Sequence, residues 1–197
     1  MNNAEKMSRY TVEKYYQIIQ NNEQPTELLD GELVDMASPS IQHQRICGNL
    51  QFFIKQYIRR NNGSCEVFAA PTDVQLDDYN LVIPDVFIAC HPDWFDSQKY
   101  NGAPDFVAEV VSTNRSDDFD RKLWLYRIHG VREYWIIDPK HEKVLVYFFE
   151  ESAFPNMYSF DTPIPVRIYQ NAEHPLSIII SELFCVTDAD NRGQIYK

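Results

Sequence analysis

The chain has 197 residues, of which 44% are hydrophobic and 24% are charged, a composition typical of a globular protein and too apolar for a disordered one. The 18 basic and 29 acidic residues leave a formal net charge of −11, a poor basis for tight nucleic-acid binding through phosphate neutralisation alone. At about 100–200 residues per domain, we expect one domain over residues 1–197, with residues from about 187 onward as a loose polar tail. No apolar run reaches the roughly 18 residues of a membrane span, so the sequence predicts a cytoplasmic protein.

Cysteine spacing and the common sequence signatures exclude several classes of site. The cysteines lie far apart and form no CxxC pair, so the sequence indicates neither a zinc site nor a disulfide framework; they are Cys47, Cys65, Cys90 and Cys185. The GxxxxGKS, GxGxxG, GxSxG and HExxH motifs are absent as well. We therefore expect reduced thiols, and any chemistry must depend on other residues.

The N-terminal part of the chain predicts two helices separated by a hairpin. Thr11 is the candidate N-cap of a short helix that ends before Pro25. Asp30-Gly31 stands between two short apolar runs and is a preferred two-residue hairpin turn. Ser38 followed by Pro39 is typical of an N-cap with proline at the first helical position. A long amphipathic helix is therefore predicted from about Pro39 to Arg60.

The remainder of the chain predicts mainly strands. One further helix is expected from about Ser116 to His129, with Gly130 as its C-terminal cap. The strand candidates are β-branched or aromatic runs bounded by turn residues: CEVFAAPTDVQL, LVIPDVFIAC, DFVAEVVST, EYWIIDP, KVLVYFF, PVRIY, and LSIII with ELF. This order predicts an α/β (α+β) fold with a mixed central β-sheet flanked by helices, and an N-terminal helix and hairpin, rather than a doubly wound parallel sheet.

Two carboxylates stand inside apolar strand segments. Asp85 follows a proline within an apolar run, and Glu109 has apolar neighbours on both sides, on the same strand face as Val107 and Val111. An unpaired ionised carboxylate in such a place costs several kcal/mol, so it needs a cation, a donor or a metal ion. Two carboxylates on adjacent strands can converge on a divalent cation, and hard oxygen ligands favour Mg²⁺ or Mn²⁺. Ordinary salt-bridged or solvated carboxylates near strand ends are the alternative.

Short segments spread over most of the chain form a recognisable series. They are Gly31-Glu32-Leu33, Ser38-Pro39, His43, Pro84-Asp85-Val86, Ala108-Glu109-Val110-Val111-Ser112, Asp120-Arg121-Lys122-Leu123, Tyr126, Gly130-Val131, Glu133-Tyr134-Trp135, Asp138-Pro139 and Glu182-Leu183-Phe184. In number and order they resemble the PD-(D/E)XK nuclease superfamily and, more closely, its branch of Uma-type putative restriction endonucleases. The resemblance implies a restriction-endonuclease-like fold and a metal-dependent endonuclease that hydrolyses phosphodiester bonds, with DNA as the expected substrate.

The resemblance also assigns roles to particular residues. Asp85, Glu109 and the backbone carbonyl of Val110 would hold Mg²⁺ or Mn²⁺. The superfamily places a lysine two residues after the second acid, but Val111 stands there and cannot orient or deprotonate water. The resemblance suggests that Lys122 on the following helix takes over, since a long side chain from a packed helix can reach the same point. The alternative for Lys122 is an ordinary pair with an acid four residues earlier on an exposed helix.

Two further residues are secondary candidates, Glu32 and His43. Glu32 directly follows the hairpin turn, where superfamily enzymes often place an acid that binds the metal or a second metal; a solvated turn residue is the alternative. His43 is expected near the start of the long helix and would contact a phosphate or the attacking water, unless it is a histidine of the core. Tyr126 lies one turn beyond Lys122 and is expected to pack.

A nucleic-acid substrate requires some positive charge near the site. The candidates for a local basic rim, with solvated surface charge as the alternative, are Lys55, Arg59, Arg115, Arg121 and Arg127. A homodimer is conceivable because cutting both strands needs two sites. The acidic composition, Val111 and the many aromatic residues favour an alternative, a catalytically weak or inactive nuclease-fold module for binding or assembly. A third hypothesis keeps the metal-dependent phosphodiesterase chemistry but with RNA or another nucleic-acid structure as substrate.

Overall fold

The computed structural model of this chain describes residues 9–20, 24–111 and 116–184. These residues contain the helices α1 (Val12–Ile19), α2 (Ile41–Arg60) and α3 (Ser116–His129). The strands are β1 (Thr26–Leu29), β2 (Glu32–Asp35), β3 (Glu66–Ala69), β4 (Asp73–Gln75), β5 (Leu81–Val82), β6 (Val86–Ala89), β7 (Lys99–Asn101), β8 (Phe106–Val110), β9 (Glu133–Asp138), β10 (Lys143–Phe148), β11 (Asn156–Ser159), β12 (Ile164–Pro165) and β13 (Ser177–Ile178). The predicted polar tail lies outside the described residues.

Capping residues set the ends of the helices close to their predicted positions. α1 follows its predicted N-cap, Thr11. The predicted N-cap of α2, Ser38, is wrong, because the helix begins at Ile41 and the side chain of Ser40 accepts a hydrogen bond from the His43 amide at 3.1 Å. α3 ends at the predicted Gly130, whose φ of 93° is rare for residues with a Cβ. None of the described helices is both long and apolar enough to cross a membrane.

The strands form two large sheets and one small one. The six-stranded sheet has the order β11-β10-β9-β8-β6-β3, and β8 and β9 run parallel within it. The five-stranded sheet has the order β2-β1-β5-β4-β7, and β4 and β7 run parallel. β12 pairs with β13. The predicted mixed sheet flanked by helices is confirmed, as is the hairpin turn at Asp30-Gly31, while the separate five-stranded sheet was not predicted.

The C-terminal third departs from the predicted strands. PVRIY forms the 3₁₀ turn Arg167–Tyr169 instead of a strand, because the amide of Ile168 donates to the Glu133 carboxylate at 2.9 Å rather than to a neighbouring strand. LSIII is a strand only in β13, and the following turn Ile180–Leu183 is also 3₁₀. β7 and β11 were not predicted: β7 pairs with β4, which is not its neighbour along the chain, and β11 is a short, largely exposed strand that pairs with the preceding β10.

The six-stranded sheet is buried between α2 on one face and α3 on the other. On β8, Phe106, Ala108 and Val110 belong to the apolar cluster that includes the buried face of α2. Val107 belongs instead to the cluster that includes Tyr126 of α3. Because side chains alternate along a strand, Glu109 lies on the α3 face of the sheet, inside the protein.

The expectation of reduced thiols throughout is wrong for two cysteines. Cys65 and Cys90 form a disulfide. The antiparallel pairing of β3 with β6 places Glu66 opposite Ala89, so the residues just beyond this pair also face each other. A separation of 25 residues carries no sign of this pairing in the sequence. Cys47 on α2 is a buried free thiol.

We expect the disulfide to add about 3 kcal/mol to the free energy of unfolding, because it closes a 25-residue loop and so lowers the entropy of the unfolded chain. Denaturant unfolding of the wild type and of the double variant Cys65→Ser, Cys90→Ser measures the difference. Reductant should bring the wild type to the midpoint of the double variant. Equal midpoints without reductant would contradict the prediction.

Candidate active site

Asp85 is held at the point where β6 meets α2 and β8. Its Oδ2 atom accepts hydrogen bonds from the Val110 amide at 2.8 Å and from Nε2 of His43 at 3.0 Å. β6 pairs antiparallel with β8 and places Val86 opposite Ala108, so Asp85 lies across from Glu109. The strand register thus brings together the two acids that the sequence singled out.

Glu109 is buried at the centre of a charged cluster. Its Oε1 atom lies 3.0 Å from Nζ of Lys122 and accepts a hydrogen bond from the hydroxyl of Tyr126 at 2.7 Å. Lys122 is only 4% exposed, so it is not the surface lysine of an exposed helix. Tyr126 was expected only to pack, and the structure shows in addition that its hydroxyl binds Glu109.

The sequence reasoning missed Glu27, the third acid of this cluster. Glu27 lies on β1 and is 1% exposed, and its Oε1 atom is 2.8 Å from Nζ of Lys122 and accepts the Ile83 amide at 2.8 Å. The signal that could have revealed it is the one that pointed to Glu109: an acid in a short apolar run, here TELL. Lys122 therefore bridges two carboxylates from two different sheets.

Burial and neighbouring charge set the protonation of this cluster. Burial raises the pKa of Glu109 to about 7, although Lys122 opposes the shift. Burial disfavours the charge on Lys122, but Glu109 and Glu27 outweigh it and raise its pKa above the usual value. The pKa of Tyr126 is also raised, chiefly by burial. Lys122 and Tyr126 therefore keep their protons and act as donors.

His43 reaches the site from the first turn of α2. Burial alone would lower its pKa, but the hydrogen bond and the charge of Asp85 raise it above the ordinary value. The imidazole is therefore more readily protonated than a free histidine. In that form it carries a positive charge next to Asp85 and can donate to an anionic group.

One oxygen of each acid is engaged and the other is available. Among the described residues, the hydrogen bonds and ion pairs to Asp85 fall on Oδ2 and those to Glu109 fall on Oε1. Asp85, Glu109, Val110, His43 and Lys122 all line one cavity of about 370 Å³. Two carboxylates and a backbone carbonyl are the hard oxygen donors that Mg²⁺ and Mn²⁺ prefer, so this donor set fits such an ion.

The structure does not bring Glu32 into this cluster. Its exposed carboxylate pairs with Nη1 of Arg121 at 3.0 Å, and Arg121 also binds Asp30 and the Leu29 carbonyl. This contact ties the β1–β2 hairpin to α3. Val111, two residues after Glu109, packs at the edge of the apolar cluster around Tyr126.

The predicted basic residues do not surround the cavity. Lys55 and Arg59 are exposed near the end of α2, roughly 20 Å along the helix from His43 at about 1.5 Å per residue. Arg127 is exposed on α3, and Arg115 lies outside the described residues. Among the described residues that line the cavity, Lys122 is the single lysine or arginine.

We expect the substitution Lys122→Met to lower the free energy of unfolding by about 3–5 kcal/mol, because it leaves Glu27 and Glu109 buried without their cation. Denaturant unfolding at neutral pH measures the effect. Lys55→Met makes the same change at an exposed position and should cost less than about 0.5 kcal/mol. Equal effects of the two substitutions would contradict the bridging role of Lys122.

The raised pKa of Glu109 predicts a specific pH dependence of stability. The folded protein holds this proton more tightly than the unfolded chain, whose glutamates titrate near their ordinary value of 4.5. The contribution to stability is therefore complete at low pH and is lost as the pH rises through about 7. Between pH 5 and 8 the wild type should lose stability relative to Glu109→Gln, on the order of 2 kcal/mol. Unfolding curves of both proteins are measured in parallel at each pH. A difference in the free energy of unfolding that stays constant between pH 5 and 8 would contradict the prediction.

Comparison with known proteins identifies the family and the fold of this chain. The profile of the family Uma2, described as "Putative restriction endonuclease", matches residues 12–164. "Uncharacterized protein sll1609" of Synechocystis sp. is 29% identical over 133 residues, which are 65% of this chain and 74% of that protein. The crystal structure of a "putative nuclease belonging to DUF820" from Anabaena variabilis matches with a TM-score of 0.72 at 18% identity, over 88% of this chain and 97% of that one, and this match confirms the predicted fold class. Because the profile covers well over half of its residues, the chain belongs to the Uma2 family.

Proposed function

We propose that this protein is a metal-dependent endonuclease that hydrolyses phosphodiester bonds, with DNA as its substrate. The observation that carries the proposal is the arrangement of Asp85 and Glu109, which share a cavity with one oxygen each available and with Lys122 beside them. The family description and that of the Anabaena protein, both of which refer to nucleases, support the same reaction class.

Charge and donor chemistry favour a divalent ion at this site. Asp85, Glu27 and Glu109 face a single lysine, so a cation would relieve the repulsion that Asp85 and Glu27 exert on Glu109. Asp85, Glu109 and the carbonyl of Val110 would hold Mg²⁺ or Mn²⁺. When bound, such an ion lowers the pKa of a water and neutralises charge on the scissile phosphate.

The protein's own side chains have distinct tasks in this scheme. Lys122 keeps its proton, so it orients Glu109 and donates to the attacking water or to a phosphate oxygen rather than acting as a base. Tyr126 fixes the Glu109 carboxylate from the other side. His43, held by Asp85, donates to a phosphate oxygen at the mouth of the cavity.

The character of the cavity walls bears on what the cavity binds. The cavity walls beyond the acids are mainly apolar and include Met36, Pro39, Ala69 and Pro71. These apolar walls and the net charge of −11 also favour the second candidate function, a catalytically inactive module that binds a partner through this cavity.

Nicking of supercoiled plasmid tests the proposal directly. We expect the wild type to nick with Mg²⁺ or Mn²⁺ and to stop when EDTA is added. Asp85→Asn and Glu109→Gln should each lower the rate by more than about 100-fold, since even an outer-shell partner of a metal ligand is worth roughly 10–100-fold. Asp161→Asn removes an exposed acid outside the cavity and should nick like the wild type.

The outcomes separate the candidate functions. Nicking that persists in Asp85→Asn would show that the site is misplaced. A folded wild type that cuts neither plasmid nor single-stranded DNA nor RNA with either ion would favour the binding module. Linearisation of the plasmid at rates that rise with the square of protein concentration would support a homodimer that supplies two sites.

A further inference from the structure

A second set of potential ligand atoms, which shares Asp85 with the carboxylate pair, lines the same cavity. His43 and Cys47 are one helical turn apart on α2, so their side chains share a face. Sγ of Cys47 lies 3.5 Å from Nδ1 of His43, and Nε2 of His43 lies 3.0 Å from Oδ2 of Asp85. One ligand atom from each of the three residues lies within 4.8 Å of the others. Within the described part of the chain, no other group of three histidine, cysteine or acidic side chains meets this condition.

The two short contacts use different nitrogens of His43, Nδ1 toward Cys47 and Nε2 toward Asp85, and a single metal ion binds only one of them. Bond lengths of about 2.0–2.3 Å at the tetrahedral angle place zinc ligand atoms roughly 3.5 Å apart. The three ligand atoms lie within 4.8 Å of one another, so side-chain rotations that aim one nitrogen of His43, Sγ of Cys47 and an oxygen of Asp85 at a common point would bring them to that spacing. Cys47 is a buried free thiol and is among the residues that line the cavity.

The donor types separate this site from the carboxylate pair. Thiolate sulfur and imidazole nitrogen select Zn²⁺ and related ions over Mg²⁺, whereas two carboxylates and a carbonyl show the opposite preference. Three protein ligands leave the fourth tetrahedral position open to water or to a phosphate oxygen.

We propose that His43, Cys47 and Asp85 form a binding site for a soft divalent transition-metal ion, of which Zn²⁺ is the representative. The sulfur–metal bond forms as the thiol of Cys47 releases its proton to water, and the imidazole and the carboxylate bind in their deprotonated forms. No electron transfer is involved.

The site shares Asp85 with the carboxylate pair, and this has a functional consequence that depends on the proposed function. A zinc ion on the Asp85 carboxylate lies next to the oxygen that is available to Mg²⁺, and the repulsion between two divalent cations at this distance weakens Mg²⁺ binding. Zn²⁺ therefore inhibits Mg²⁺-dependent hydrolysis instead of replacing Mg²⁺.

Cobalt binding tests the site without reference to any activity. Co²⁺ is titrated into untagged protein without reductant, so that Cys65 and Cys90 stay in their disulfide. We expect one Co²⁺ per chain, with the charge-transfer absorption of a cobalt–thiolate bond, and displacement by Zn²⁺. Cys47→Ser should abolish the absorption and weaken Zn²⁺ binding by at least about 100-fold, more than loss of an outer-shell partner costs.

A matched variant and two further ligand changes sharpen the test. Cys185→Ser removes the remaining cysteine outside the disulfide and should leave the absorption unchanged. Asp85→Asn and His43→Ala should each weaken Zn²⁺ binding at least tenfold, and far-ultraviolet circular dichroism verifies that every variant is folded. Absorption that is absent in the wild type, that persists in Cys47→Ser, or that disappears in Cys185→Ser would overturn the proposal.

Inhibition is measured as the ratio of nicking rates in Mg²⁺ with and without Zn²⁺. We expect the concentration of Zn²⁺ that halves the rate to rise at least tenfold in Cys47→Ser. An unchanged concentration would overturn the inhibitory role. If the protein binds Co²⁺ as described but nicks no substrate, the metal site is supported and only the proposed nuclease function is contradicted. Failure of the site and failure of the nuclease function are therefore distinguishable.

Discussion

The buried ammonium group of Lys122 is the contact on which the rest of this structure depends. It lies between Glu27 of β1 and Glu109 of β8, and so joins α3 to both large sheets at one point. Charges buried to this degree are costly unless each has its partner. The cluster is therefore stable only when all three elements are correctly packed, which makes it a strong constraint on how the sheets meet.

The same constraint creates the conditions for chemistry. Lys122 and Tyr126 engage one oxygen of Glu109, the Val110 amide and His43 engage one oxygen of Asp85, and the second oxygen of each acid remains available beside a cavity. The acids are thus oriented before any ligand arrives, and the free energy for holding them comes from the surrounding packing. Pre-organised charge of this kind is what an active site requires.

β6 is the strand that keeps this geometry rigid. Its beginning is fixed where Asp85 binds His43 and β8, and its end is fixed where Cys90 forms the disulfide with Cys65. The Cys90 amide also donates to Asp105, just before β8. A strand held at both ends cannot slip in register, and such a slip would move Asp85 away from Glu109.

The sequence by itself determined the local elements and the two central acids. Caps and apolar periodicity are properties of a few neighbouring residues, so they predicted α1, α2, α3 and the hairpin to within two residues, and an acid within an apolar strand already signals a special environment. Only the tertiary structure decided that Glu27 rather than Glu32 joins the cluster, that the hydroxyl of Tyr126 binds Glu109, and that Cys65 meets Cys90. Each of these depends on which distant segments pack together. Apolar periodicity shows that a face is buried, but not which distant segment covers it.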